Sequence, residues 1–352
     1  MTMHECCSVD WGDARRAAQH LLKSAYRVDL RKELDPLKDK DFMVIVQQLS
    51  DQLKTISGPL ERASVSRAMQ LLDVDFQTLT GAQAAELAKA VNLSVRGVSS
   101  RIMPEVTGTL RTEVSQTIGQ TKIRAAKKYR WTVRTGFDQV DQRMTKAIGS
   151  IASWVTDEYG QRAAMMELGI QNTIMEGFSK GLRNEEIAED LRALGEKVLV
   201  KKSASYWELV STNITNRARN FGHLRTMEDA GVREFVFSAV MDERTSAQCS
   251  ALNGTQFSVQ TGLRSYSDLE LQTQGDYQAA DKVMPFVKRK DVGEGITELF
   301  VQPPGLGRTV LGRLDRASGK VEGMLSPSQL AAAGVSAPPI HHKCRSTIEP
   351  VI

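Results

Sequence analysis

Apolar positions recur every three to four residues through most of the first two thirds of the chain, the signature of helices with one buried face. Ala17, Leu21, Leu22 and Ala25 mark a first helix over 14–28, and Phe42, Val46, Leu49 and Leu53 a second over 41–56. Ser57-Gly58-Pro59 reads as a breaker, and short helices are expected over 64–72 and 81–91. Longer helical stretches follow from about Pro104 to Tyr129 and from about Asp138 to Phe178. In the second of these, Val140, Met144, Ile148, Ile151, Val155, Tyr159, Ala163 and Met166 form a long stripe that needs a partner, from an internal antiparallel pair or from another subunit. Gly149, Gly160 and Gly169 lower its helix propensity and invite kinks. A helix restart is expected at Asn184, as cap, with Glu185 and Glu186 complementing the helix dipole and Ile187, Leu191 and Leu194 facing inward. Trp207, Val210, Ile214, Ala218, Phe221 and Leu224 predict a further helix ending at Gly231. There the period changes. Residues 235–241, Phe-Val-Phe-Ser-Ala-Val-Met, predict a strand, and Glu298-Leu299-Phe300-Val301 a second one closed by Pro303-Pro304-Gly305. The pattern predicts an α+β fold: a mostly helical N-terminal half with long amphipathic helices, then a small mixed α/β C-terminal module. The expected divisions are a helical region over 1–100 with no assigned role, a long-helix region over 101–200, and a module over 201–352 holding an inserted loop or hairpin at about 255–337.

Length and composition add limits. At 352 residues, two or three domains are expected. No apolar run reaches the roughly 18 to 20 residues of a membrane helix, and no secretory leader is legible at the N-terminus, so the chain is expected to begin in the cytoplasm. Such a compartment disfavours structural disulfides among Cys6, Cys7, Cys249 and Cys344. The net charge of +4 does not define a nucleic-acid binder. Its distribution is more suggestive: Lys122, Arg124, Lys127, Lys128, Arg130 and Arg134 follow one another with no acid between them. This run reads either as a solvated helix face or as a surface facing DNA phosphates.

Candidate chemistry gathers near the C-terminus. Asp242-Glu243-Arg244-Thr245-Ser246-Ala247-Gln248-Cys249 follows the first strand, Leu252-Asn253-Gly254 is a tight-turn signal, and Pro338-Pro339-Ile340-His341-His342-Lys343-Cys344-Arg345-Ser346 closes the chain. His341 and Cys344 stand three apart, a short-chelate spacing, and the fold can bring Cys249 beside them. Three zinc-type donors then need a fourth, with His342 or Asp242 as candidates. Two other readings stay open: buried small hydrophobes with His341 capping a turn, or a Cys249–Cys344 disulfide formed outside the reducing cytoplasm. Asp242 is expected to pair with Arg345 or Arg244 in a bidentate contact that holds the terminal segment on the strand.

In this order, these elements resemble the C-terminal module of the Mu F-like phage minor head proteins, also called head-morphogenesis proteins. The matching positions are Asp242, Arg244, Thr245, Cys249, Leu252, Gly254, Pro338, Pro339, His341, Cys344 and Arg345, with 177–187 as a helical lead-in. The resemblance covers about 171–352. Many relatives carry a second cysteine in each element, where this chain has Ser246 and Ser346. The resemblance implies a minor capsid protein of a tailed phage or prophage, in the virion head and, during assembly, in the host cytoplasm. Its implied partners are portal protein, major capsid protein and scaffold, with packaged DNA as a further contact, and no membrane. No catalytic residue is implied, and a structural zinc rests on the Cys249, His341 and Cys344 donors themselves, not on the resemblance. A zinc-dependent hydrolase or nuclease, or a toxin-like enzyme, is the alternative. It lacks His-Glu-x-x-His, Gly-x-Ser-x-Gly and a phosphate loop, and the closing element leaves no expected room for a C-terminal effector. A plain DNA-binding protein is the third reading.

Overall fold

Helix α1 (Asp39–Leu71) buries Phe42, Ile45, Val46, Leu49 and Leu53 on one face. It does not stop at Ser57-Gly58-Pro59, where a breaker was expected. An interior proline costs about 3 kcal/mol of helix propensity. Here the residues around it are held from outside: Ser57 is buried and accepts a hydrogen bond from Trp207 Nε1 at 2.8 Å. The computed structural model describes residues 34–150, 153–180, 182–273 and 277–352, so the expected helix over 14–28 lies outside the described residues.

After a short 3-10 turn at Phe76–Thr78, helix α2 (Gly81–Tyr129) opens with a capping box in which Thr80 and Gln83 satisfy each other's backbone. It runs for 49 residues, through Pro104. The apolar spacing predicts separate helices over 81–91 and about 104–129, with a division at residue 100. In the structure Val91, Val95, Val98, Ile102, Val106, Leu110, Val114 and Ile118 continue one buried stripe across both points. The core nevertheless has two parts. One gathers Leu72, Phe76, Val91 and Val95 with Met166, Ile170, Ile174 and Ile187; the other takes α2 from Val98 onward and extends under the C-terminal module.

The stretch predicted as one helix over 138–178 is described as α3 (Gln139–Ser150) and α4 (Ser153–Lys180), with 151–152 outside the described residues. The stripe of α4, from Val155 and Tyr159 to Ile174, is covered mainly by α2 of the same chain. Helix α5 (Asn184–Gly195) lies close against α4. A Cβ at Gly169 or Gly177 would sit 2.6 Å from Leu194 or Ile187, so these glycines serve close approach. The cap of α5 is Arg183, whose backbone N–H donates to Glu186 Oε2 at 2.8 Å, while Asn184 Nδ2 donates to Asp75 Oδ1 instead. A π-helical turn (Glu196–Lys201) leads into α6 (Lys202–Asp229), which ends before Gly231 at φ 74°. Glu61 joins three helices, accepting hydrogen bonds from Tyr159 Oη and from Ser203 Oγ (2.7 Å), with Arg162 Nη1 at 3.4 Å.

The remainder holds two antiparallel sheets. In the first, β1 (Glu234–Ser238) is central, flanked by β2 (Gln256–Ser258) and β7 (Thr347–Pro350). Between β1 and β2 lies the short helix α7 (Ala247–Leu252). Helices α8 (Val259–Thr273) and α9 (Tyr277–Val283) follow β2. The second sheet is a meander of β3 (Lys288–Gly293), β4 (Ile296–Val301), β5 (Thr309–Asp315) and β6 (Val321–Glu322), followed by α10 (Pro327–Ala332). The interval 255–337 is therefore more than an inserted hairpin. It supplies strand β2 to the first sheet, and its Tyr266 is buried with Oη donating to Arg217 O at 3.0 Å. The chain is α+β, with long helices first and small antiparallel sheets after them. Among the described residues no helix is long and apolar enough to cross a membrane.

Candidate functional site

Antiparallel pairing of β1 with β7 sets Ser238 opposite Thr347. The loop leaving β1 and the segment entering β7 therefore meet, although about a hundred residues separate them in sequence. Ser246 caps α7 by accepting the Cys249 N–H at 3.2 Å, which puts Cys249 on the first turn facing the terminal segment. Cys249 Sγ lies 3.0 Å from His341 Nε2 and 3.6 Å from Cys344 Sγ. Two hydroxyls complete the cluster: Ser246 Oγ is 2.7 Å from His341 Nε2, and Ser346 Oγ donates to Cys249 Sγ at 3.0 Å. Cys344 is fully buried and Cys249 nearly so, and both are free thiols.

The electrostatics divide the two sulfurs. Burial works to keep Cys344 protonated, but the Cys249 thiol and His341 beside it outweigh that and hold Cys344 well below the usual thiol range. The hydrogen bond to Cys344, with burial, pushes Cys249 up. His341 is raised above its ordinary value because the Cys344 sulfur outweighs burial. His341 Nδ1 donates to His342 O at 2.6 Å; a carbonyl only accepts, so Nδ1 carries a proton and Nε2 is the atom turned to the sulfurs.

The candidate fourth donors do not join the cluster. His342 is packed edge-on against Phe286, with ring centroids 4.4 Å apart. Asp242 is engaged by Arg345, whose Nη2 lies 2.6 Å from Asp242 Oδ1. The bidentate pair expected there is absent: the other Arg345 nitrogen, Nη1, reaches Asp39 Oδ2 at 3.0 Å, so one guanidinium spans two carboxylates from different elements. Arg244 stands 3.7 Å from Asp242 and is largely exposed. The Arg345 hydrogen bond holds the Asp242 carboxyl below its usual range.

Beneath the cluster, α6 turns a polar face inward that was not singled out from the sequence. Asn216 Nδ2 donates to Cys344 O and, at 3.2 Å, to Ser346 O. Arg219 Nη2 donates to Arg345 O and Ser346 O at 2.9 and 2.8 Å, its Nη1 to Pro36 O at 3.2 Å, and its guanidinium lies 3.8 Å from the centre of the Phe42 ring. Burial lowers Arg219 to about 10, which leaves it charged at neutral pH. The signal was present in the spacing: Asn216, Arg219, Asn220 and His223 recur at three to four residues on a helix whose other stripe is apolar.

The basic run does not form one surface. Lys122 is buried, its Nζ donating to Asp141 Oδ2 at 2.8 Å and to Gly136 O at 2.7 Å. A helix that long must bury one side, and Lys122 falls on it beside a carboxylate. Lys128 reaches Glu349 at 3.0 Å, Arg124 is half-buried, and Lys127, Arg130 and Arg134 are exposed.

A cleft of about 820 Å³ opens beside the cluster, lined in part by Ser246, Gln248, Arg289, His341 and His342.

The fold is thus a long-helix body carrying a small antiparallel module whose terminal strand closes over a Cys–His–Cys cluster. Residues 169–268 match the family model described as Phage Mu protein F like protein. The match runs from α4 through α8 and includes β1, the Asp242 turn and Cys249. No curated protein and no solved structure matches the chain.

Proposed function

We propose that this chain is a head-morphogenesis protein, a minor capsid component of a tailed phage or prophage. The observation that carries the reading is the match over 169–268 to the phage Mu protein F like family. It acts in head assembly near the portal vertex, with portal protein, major capsid protein and scaffold as partners, and it resides in the virion head after assembly in the host cytoplasm. The long helices α1, α2 and α4 suit docking against such partners. DNA contact falls to Lys127, Arg130 and Arg134 at the exposed end of α2 and just beyond it, because Lys122 and Lys128 are committed to carboxylates. The reading assigns the chain no reaction.

Quantitative mass spectrometry of purified particles tests it. A small, reproducible amount relative to major capsid protein, in both proheads and full heads, is expected. Absence from every particle, with the chain free in the host lysate, would overturn the proposal.

A further inference from the structure

We infer that Cys249, His341 and Cys344 form a three-ligand site for a zinc-class divalent ion, with the fourth coordination position open to the neighbouring cleft. The donor atoms Sγ, Nε2 and Sγ all lie within 4.8 Å of one another. Tetrahedral zinc, with bonds of about 2.3 Å to sulfur and about 2.0 Å to nitrogen, sets its sulfurs about 3.8 Å apart and sulfur from nitrogen about 3.5 Å apart. The Cys249–Cys344 separation of 3.6 Å meets this as it stands. The Cys249–His341 separation of 3.0 Å must open by about half an ångström to admit the ion.

Two features outside the donor set, and the chemistry of the donors themselves, support the site. His341 Nδ1 donates to the His342 carbonyl, the outer hydrogen bond that orients a metal-binding imidazole and leaves Nε2 for the ion. Asn216 and Arg219 hold the carbonyls of 344–346 from below, so the Cys344 ligand is fixed before any ion arrives. Two thiolates and an imidazole are soft donors that select zinc-class ions over magnesium or calcium.

The fourth position follows from what surrounds the three donors. His342 faces Phe286 and Asp242 is held by Arg345, so neither completes the set. Among the described residues, the other side chains hydrogen-bonded to these donors include the hydroxyls of Ser246 and Ser346, which are not among the usual zinc ligands. Ser246 and His341 line the 820 Å³ cleft while the two cysteines lie behind them. The ion would therefore sit with its sulfurs inward and its free position toward the cleft, filled by water or a small anion hydrogen-bonded to Ser246. Three protein ligands with an exchangeable fourth is the open arrangement, distinct from a closed structural site.

The test uses the full chain in a Cys6→Ser/Cys7→Ser background, reduced, with cobalt(II) as the probe ion. One equivalent is expected to bind and to give the intense visible bands of tetrahedral thiolate-bound cobalt. Added azide should shift those bands. Ser246→Cys places a third thiolate three residues before Cys249, closing the site, so its cobalt spectrum should lose the azide response. Cys344→Ser should weaken cobalt binding by more than the roughly 10- to 100-fold that loss of an outer-shell partner costs. If that variant does not fold, the parent and Ser246→Cys spectra still decide. Failure of the reduced parent to take up cobalt or zinc, or isolation of the parent as a metal-free Cys249–Cys344 disulfide that stays metal-free after reduction, would overturn the site. Bands indifferent to azide in the parent would overturn the open position.

Discussion

The helical body and the C-terminal clasp are held together by different kinds of contact, and they differ in what they tolerate. Helices α1 and α2 carry long apolar stripes, in which any one residue is one contributor among many. That redundancy lets both helices run through an internal proline, at 59 and 104. The clasp depends on a few buried donors, each serving more than one acceptor. Arg219 alone serves three backbone carbonyls, and Arg345 alone spans Asp39 and Asp242. A lost apolar contact costs in proportion to area, whereas a lost buried donor leaves its acceptors without water or partner.

Arg219→Leu should show the largest effect. Pro36 O and Arg345 O lose their donor at about 1–3 kcal/mol each while Ser346 O keeps Asn216, so a loss of at least about 2 kcal/mol in denaturant melts is expected. Limited proteolysis should release the C-terminal segment first; an unchanged midpoint would break the contrast between clasp and body.

The next effect is on pH. His223 lies fully buried on α6, stacked 5.8 Å from Tyr129 and near Lys128 and Arg219, and burial with those two cations lowers its pKa to about 3. The unfolded chain holds this imidazole near 6.5, so between about 6.5 and 3 the unfolded state binds the extra proton. Its contribution is therefore present above pH 6.5 and is lost as pH falls through that window, by a few kcal/mol at about 1.4 kcal/mol per unit. Stability measured from pH 7 to pH 4 should fall less steeply in His223→Leu than in the parent. Parallel curves would remove His223 as the cause.

Two glycines in the same helix sharpen the comparison within the body. At Gly177 a Cβ would meet buried Ile187 at 2.6 Å, so Gly177→Ala should destabilise by about 1–3 kcal/mol through overpacking. At Gly160 nothing lies within 4 Å, so Gly160→Ala should stabilise by up to about 1 kcal/mol. Thermal melts of the pair should move in opposite directions.

The smallest effect belongs to Asp242→Ala. Asp39 retains Arg345, so only a modest rise in proteolysis near the C-terminus is expected. Asp39→Ala/Asp242→Ala should raise it clearly, and equal rates for the single and double variants would deny the shared grip of Arg345.

Periodicity by itself determined that the first part of the chain is helical, the apolar face of α6 and a strand beginning near Phe235, because those stripes record which side of each element leaves water. Residue types and order near the C-terminus were enough to single out Cys249, His341 and Cys344 and the family resemblance. Local rules failed where tertiary contacts decide: the prolines inside α1 and α2, the cap at Arg183 in place of Asn184, the burial of Lys122 beside Asp141, and the division of Arg345 between two carboxylates. Only the β1–β7 pairing brings Cys249 to His341 and Cys344, and only the packing of α6 beneath them places Asn216 and Arg219 where the terminal carbonyls need donors. Spacing along a chain states which residues share a face; which distant groups satisfy one another is set when the elements pack and each buried polar atom must find a partner.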